Sequence, residues 1–521
     1  MKQFYLFLII GLFMFSSLIS QTSKSGGILK YGEEQNPESY DPFSSFNNMA
    51  SLRISQLIFE PLVKKDEYGN IKPLLATDWK ILNKNKTIRF KIRKGVKWHD
   101  NFPFKPEDVK FTIQALLNPK TRAIQYYKLL AQKINSVTVL ENAVEIDLKK
   151  SVPDILLFFS NLPIYPKHIF KNNIIDSKIF FENKPIGTGP FMFKRGNENR
   201  YRLVKNPFYY NKVYLDGITC KVTLDPELGV QELLLTSTDL KVRIPNRDLG
   251  KLESAGDFKI YTYNSLSITA VAFNFKNELL TNEFLRKAMV LGLNRKKMLN
   301  TFYLGYGQLI SGPFPPNSTA NNPNVLPLKY SEYEAKLYLS NAGCIDSDGD
   351  GILEYNNKRL EFNLLVEVDK NSQTVIKIAD AMQEYMRNIG IKINVVRLEW
   401  NSFLNRVIYN KKFDLALLKL NFDENVSISN LFYSKGSKNF ISYKNPEIDQ
   451  LFESAEQTTD NEKKRTIYYK LHRLLADDFP YIFLWTLSNN TAFNKKVRNV
   501  TIDPYKFFQE INRWYIDPEL R

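Results

Sequence analysis

KPLLATDWKILNKNKTIRFKIRKGVKWHDNFPFKPEDV, residues 72–109, decides more about this chain than any other stretch. It reads as a turn, a short strand ending in Trp79, a second strand, a loop and the start of a helix. In the second strand Ile88, Phe90 and Ile92 alternate with Arg89, Lys91 and Arg93. That is period-2 patterning with one wet face. Pro106-Glu107-Asp108 then opens a helix, with proline where an N–H would be orphaned and carboxylates against the positive dipole end. Val109, Ile113, Leu116 and Leu117 share a side of that helix, which stops at Asn118-Pro119.

Outward from this unit, the 521 residues exceed what one hydrophobic core organises, so two or three structural units are expected. Hydrophobic content of 43%, with 37 phenylalanines and 28 tyrosines, excludes a disordered chain. Lys2, an apolar run from Phe4 to Phe15 and a small-residue tail to Ser20 fit a secretory signal peptide over 1–20. The run is shorter than the ~20 residues that cross a bilayer; an uncleaved anchor is the alternative reading. Cys220 and Cys344 are the only cysteines. An exported compartment permits a disulfide, but the two fall in what read as different units, so buried free thiols are expected. The net charge of +17 comes from cations scattered singly, without an arginine-rich arm or RNA-reading motif, so no nucleic-acid partner is expected.

A second landmark is Pro185-Ile186-Gly187-Thr188-Gly189-Pro190-Phe191, whose two glycines between prolines demand a tight, fixed backbone. A phosphate cradle would need a lysine-serine/threonine ending or dinucleotide spacing, and neither is present. The hairpin Phe191–Lys194 and Tyr201–Val204 follows, then Asn206-Pro207-Phe208-Tyr209-Tyr210. In the second half, Ala270–Phe275 is strand-like and Asn282 caps a helix through about Thr301, with Phe284, Ala288, Met289 and Leu293 inward. Gln373–Asn388 is an amphipathic helix closed by Gly390, and the strand Lys392–Arg397 comes straight after it. Pro446–Gln457 and Asp460–Asp478 read as two more helices. Helix feeding strand and strand feeding helix argue α/β architecture.

Candidate chemistry is sparse. Asp346-Ser347-Asp348-Gly349-Asp350-Gly351 starts like a calcium loop, but Asn357 stands at the twelfth position where a bidentate glutamate completes the shell, so a structural turn is expected. His99, His168 and His472 are not paired at metal spacing, and no nucleophile elbow or Walker motif exists. No metal, no cofactor and no bond-breaking chemistry are expected.

The wording of 72–109 closely resembles "P-x-LA-x-x-W … F-x-LR-x-GVKFHDG-x-PF-x-AEDV" of the extracellular solute-binding proteins, family 5, that serve peptide, dipeptide and nickel ABC importers. This chain departs at Trp98 (usually Phe) and Asn101 (usually Gly). "P-x-GTGPY … NP-x-YW … LD-x-I" is matched from Pro185 to Ile218. Arg286-Lys287-Ala288 and Asn294-Arg295 stand where the family has "vRqA" and "DR". The resemblance covers residues 27–515. It implies an α/β, periplasmic-binding-protein-like two-lobed fold of the large type II variant. Lobe one would take 27–50, 185–271 and 487–521, an extra subdomain 51–184, and lobe two 272–486. It further implies an exported monomer that binds a peptide or peptide-like solute between the lobes and hands it to a permease by hinge closure.

Five residues carry the implied site. Asn36 and Pro37 align with the extended segment whose backbone pairs with the solute in strand fashion. Trp400 matches the tryptophan of "EW-x-x-F". Asp423 aligns with the acid of "W-x-AD-Y-x-(D/E)-P" that meets an α-amino group, although Leu420 replaces its tryptophan and Val426-Ser427 its acid-proline pair. Trp485 lies where relatives cross back between lobes and present an aromatic side chain. The packing alternatives are an exposed loop acid for Asp423 and a core tryptophan for Trp485. The rival functions are a non-peptide solute, and an exported adhesion or chaperone-like protein that uses the cleft without transport.

Overall fold

The computed structural model describes residues 24–521 except 44–47, 67–68, 122, 124, 153–154, 171–173, 176–184, 198, 317, 370–371, 422–427, 459 and 505. The signal segment therefore lies outside the described residues, and none of the described helices is long and apolar enough to cross a membrane.

The first strand, β1 (Ile28–Glu33), leads to helix α1 (Met49–Ile58). Strands β2 (Ala76–Leu82), β3 (Thr87–Ile92), β4 (Ile134–Leu140) and β5 (Ala143–Leu148) form a small antiparallel sheet in the order β2-β3-β5-β4. Ile88, Phe90 and Ile92 are buried and their basic neighbours wet, as the alternation requires. Helix α2 (Pro106–Leu117) covers this sheet. The turn from Trp98 to Phe102 needs a left-handed residue, and Asn101 supplies it at φ 74°. Asp108 ties the motif together: its carboxylate accepts from the backbone N–H groups of Lys105 (2.8 Å) and Lys167 (2.9 Å), beside the buried Trp98 indole.

The hairpin β6 (Phe191–Asn197) and β7 (Arg200–Lys205), with β8 (Gly217–Val222), β9 (Leu240–Lys241) and the 16-residue β10 (Phe258–Phe273), returns the chain to the main sheet. Gly187 and Gly189 are needed for close approach rather than for φ: a Cβ on either would stand 1.9 and 2.6 Å from the carbonyl oxygens of Ile58 and Leu57 at the end of α1. His99 clamps the same turn. Its Nδ1 accepts from the Gly187 N–H (3.2 Å) while Nε2 donates to the Gly189 carbonyl (3.0 Å).

The helix expected over 282–301 is two helices, α3 (Glu283–Leu291) and α4 (Arg295–Tyr303). Asn294 caps the second by accepting from the Lys297 N–H, so Arg295, Lys296 and Lys297 open a helix instead of closing one. Phe284, expected inward, is 40% exposed. Arg286 is buried and donates to the carbonyls of Leu280, Thr281, Asp478 and Phe479, which explains the arginine of that motif as a staple between two helices. After β11 (Gly307–Leu309) come β12 (Glu361–Glu367), α5 (Gln373–Asn388), β13 (Lys392–Leu398), α6 (Trp400–Leu404) and β14 (Leu415–Asn421). Helices α7 (Pro446–Gln457) and α8 (Asn461–Asp478) then deliver β15 (Tyr481–Asn494).

These strands make one eleven-stranded sheet, β13-β12-β14-β10-β15-β9-β1-β8-β7-β6, with β11 beside β15. Among the described residues only β10 and β15, antiparallel partners, run through both of its halves. Their register breaks between Asn264 and Ile268, and again between Thr269 and Ala270. Ile268, Ala270 and Val271 already pack in the cores of the β12–β14 half. Phe258 and Ala492, nearer the far ends of the pair, join a cluster on the other side. Buried apolar residues of 51–184 and of the β1–β8 half form one continuous cluster. Cys220 and Cys344 are free and buried, in different cores.

Candidate functional site

Strand direction locates the site. β8 and β9 run parallel to β1, and all three end toward the middle of the β10–β15 pair, where the Ile244 N–H donates to the Asn490 carbonyl at 2.8 Å. β13 and β14 run parallel to β12 and end at the same place from the other side, where Asn421 pairs with Ser267. Two sets of carboxyl strand ends thus face each other across the crossing strands. Open α/β sheets bind ligands in this position, outside the carboxyl ends of their strands.

The near edge is held by buried charge. Glu33, the last residue of β1, forms a two-pronged ion pair with Arg53 of α1 (2.7 and 2.8 Å), and the Tyr31 hydroxyl donates to the same carboxylate. Removed from water, this trio has to be mutually satisfied. Beyond it, Glu34–Ser39 docks on the N-terminus of α1. Asn48 donates to the Asn36 carbonyl (2.9 Å), and the Ser51 hydroxyl accepts from the Glu38 N–H (2.9 Å). Asn36 is exposed and Pro37 partly so. The main-chain N–H groups of Gln35 and Asn36 meet no protein acceptor among the described residues.

On the far edge Trp400, which opens α6, is 56% exposed and lies parallel to the ring of the buried Phe403. The helix continues as a π-turn, Asn405–Tyr409, a geometry frequent beside functional sites. Lys419 of β14 is held below the ordinary lysine range, first by burial of its amine and then by Arg243 from the near edge. Arg243 in turn sits 3.5 Å from Glu34. The floor is polar. Thr486 donates to the carbonyls of Ser265 and Ser267 (3.0 Å each) across the first register break, and Asn490 joins Thr262 (2.7 Å) to Asn246 (2.8 Å).

Of the five residues singled out from sequence, Asn36, Pro37 and Trp400 stand at the facing strand ends. Asp423 lies outside the described residues. Trp485 is a correction: it is fully buried in the core beside the Tyr303 ring, 5.8 Å between centroids, and presents no surface to a solute. The four residues before it in β15, Tyr481–Leu484, are all apolar and buried, which is the signature of a strand buried on both faces. Glu33, Arg53, Arg243 and Lys419 escaped sequence reasoning. Each is a single charged residue in an otherwise unremarkable segment, and only the pairing of distant strands brings them together.

The acidic turn at 346–351 brings one carboxylate oxygen each of Asp346, Asp348 and Asp350 within 4.8 Å of one another, and the chain's own groups bond to them. Asp346 accepts from the N–H groups of Gly349 and Gly351, Asp350 from Ile352, and the Arg359 guanidinium pairs with Asp350 and Asp348. His472 is likewise spoken for, by the Asn322 N–H (2.9 Å) and the Ser311 hydroxyl (3.1 Å).

Two sets of carboxyl strand ends facing each other over two crossing strands, with polar and aromatic groups beside them, form an arrangement suited to holding a solute. Residues 70–440 match the model of the bacterial extracellular solute-binding proteins, family 5, and the chain belongs to that family. It is 29% identical over 511 residues to the oligopeptide-binding protein AppA of Bacillus subtilis, covering 95% of this chain and 92% of that one. The structure of that AppA with a nonapeptide superposes with a TM-score of 0.74 at 27% identity, over 94% of this chain and 99% of the other. NikZ from Campylobacter jejuni, solved with Ni(L-His), gives 0.75 at 26% identity over 94% and 99%.

Proposed function

We propose that the chain captures a peptide or peptide-like solute in this crevice and presents it to the permease of an ABC importer by closing the two halves of the sheet on it. The observation that carries the reading is the convergence of both sets of carboxyl strand ends on one bulged, two-strand crossing. Support also comes from the relatives, which include an oligopeptide-binding protein of nearly the same length. The chain divides at 264–268 and 486–489 into a first lobe with its subdomain and a second lobe, and those segments act as the hinge.

Within the crevice the unpaired main-chain groups at Gln35 and Asn36 pair with the solute backbone, and Trp400 stacks on it. Asp423 neutralises an amino group, an assignment that rests on the resemblance alone. Arg243 and Lys419, which repel each other across the gap, are brought together when the solute supplies a carboxylate between them. A solute stabilises the closed state only through such contacts with both sides.

Titration calorimetry of the mature chain with a casein tryptic peptide mixture tests the reading. Trp400→Ala and Asp423→Ala are each expected to weaken binding by about tenfold or more, about 1.4 kcal/mol or above, with an unchanged circular dichroism spectrum. Unaltered isotherms for both variants would overturn the site; no heat with the wild-type chain would overturn the peptide class.

A further inference from the structure

Away from the crevice, the β1–β8 half of the sheet, with the 51–184 region and the C-terminal segment, holds a concavity that solute capture leaves unused. It opens where α1 passes between the 209–214 segment and the 506–513 turns, at the junction with the 51–184 region, and its volume is about 450 Å3. That lies within the ~300–1,000 Å3 of small-molecule pockets. None of Asn36, Pro37, Arg243, Trp400 and Lys419 lines it.

Its walls define what fits. Phe59, Tyr209 and Phe508 supply rings, and Pro61 and Pro163 supply rigid apolar edges. The charge is lopsided. Lys64, Arg93, Lys212, Lys506 and Arg513 line the cavity against two acids, Glu60 and Glu510. Glu510 is already neutralised by Lys64 and by Arg513 at 3.3 Å. Glu60 is buried, accepts from the hydroxyls of both Tyr209 and Tyr210 (2.8 Å each), and burial pushes its carboxyl up to about 7. Two of the cations lie over aromatic faces: Arg93 over Tyr210 at 4.7 Å, where its charge also acts on Glu60, and Lys212 over Tyr214 at 4.7 Å. A cavity with flat apolar walls and surplus positive charge at its mouth is complementary to one ligand chemistry.

We propose that this cavity is a second binding site, which takes a small organic anion with a flat apolar body. The ring system lies among Phe59, Tyr209 and Phe508, and the acidic group faces Lys212 and Arg513, both of which reach solvent. Binding here spans α1, the 51–184 region and the C-terminal segment, so it braces the first half without entering the crevice.

The test is fluorescence titration of the full mature chain with 1-anilinonaphthalene-8-sulfonate, an aromatic anion of suitable size. Saturable binding of one probe per chain is expected. It should be abolished by Leu52→Trp, which fills the cavity from α1, and weakened about tenfold by the double reversal Lys212→Glu, Arg513→Glu at exposed positions. Trp400→Ala and a saturating peptide mixture should leave it unchanged. Absence of saturable binding, indifference to the charge reversal, or loss on crevice substitution or peptide addition would each overturn the proposal. Should Leu52→Trp not fold, the charge reversal decides alone.

Discussion

Glu33 and Arg53 bear the greatest consequence for a single substitution near the crevice. The pair is buried, two-pronged and shared with the Tyr31 hydroxyl. Arg53→Met leaves an unpaired carboxylate at the end of β1, and is expected to cost about 3–5 kcal/mol in urea unfolding. Glu33→Gln combined with Arg53→Met should recover most of that, because the stranded charge is gone. If the double variant were as unstable as the single one, packing rather than charge would be the cause. Histidines set the acid limit. His99 and His472 are both held down to about 4, chiefly by burial, and each ring accepts a backbone N–H that only a neutral nitrogen can accept. The unfolded chain takes up those protons near pH 6.5 and the folded chain does not, so stability is lost as pH falls from about 6.5 to 4. For His472 alone the loss approaches about 3 kcal/mol. His472→Asn, less stable at neutral pH, should show a flatter slope across that window; an identical slope would absolve His472. Glu60 works in the opposite sense, its raised carboxyl losing stability as pH rises through about 7, so the difference between variant and wild type is the informative quantity.

At the scale of elements, legibility tracked how local the cause was. Gln373–Asn388 and Pro446–Gln457 form with the ends read from sequence, because each has an apolar stripe and a local end signal, Gly390 after the first and the Asn445 cap before the second. The break between α3 and α4 was missed because the signal is one asparagine, Asn294, whose capping role depends on Arg295 reaching the carbonyls of Phe483 and Leu328. Ala270–Phe275 was legible only as the tail of β10, since the wet half of that strand lacks an apolar run. Trp485 carries an aromatic signature that could mean cleft or core, and the burial of the strand segment from Tyr481 to Thr486 puts it in the core. The double-glycine turn was legible as a constraint but not as its reason, which is contact with α1, remote in sequence. Gly189→Ala is therefore expected to cost about 2–3 kcal/mol by forcing a Cβ against the Leu57 and Ile58 carbonyls. A loss below half a kilocalorie in urea unfolding would mean the turn relaxes freely.

At the scale of the molecule, motif wording identified the family and hence the two-lobed plan, while the crevice itself rests on strand order that no periodicity reveals. Everything depends on β10 and β15 serving as the hinge. Among the described residues they are the only strands common to both halves, they shift register where they change sides, and polar side chains tie the first shift together. Small-angle X-ray scattering of residues 24–521, with and without the casein peptide mixture at concentrations that saturate the calorimetric signal, tests this most directly. The radius of gyration should fall on saturation, and Trp400→Ala should need more peptide to reach the same value. Saturable binding with an unchanged radius would contradict closure about the crossing strands.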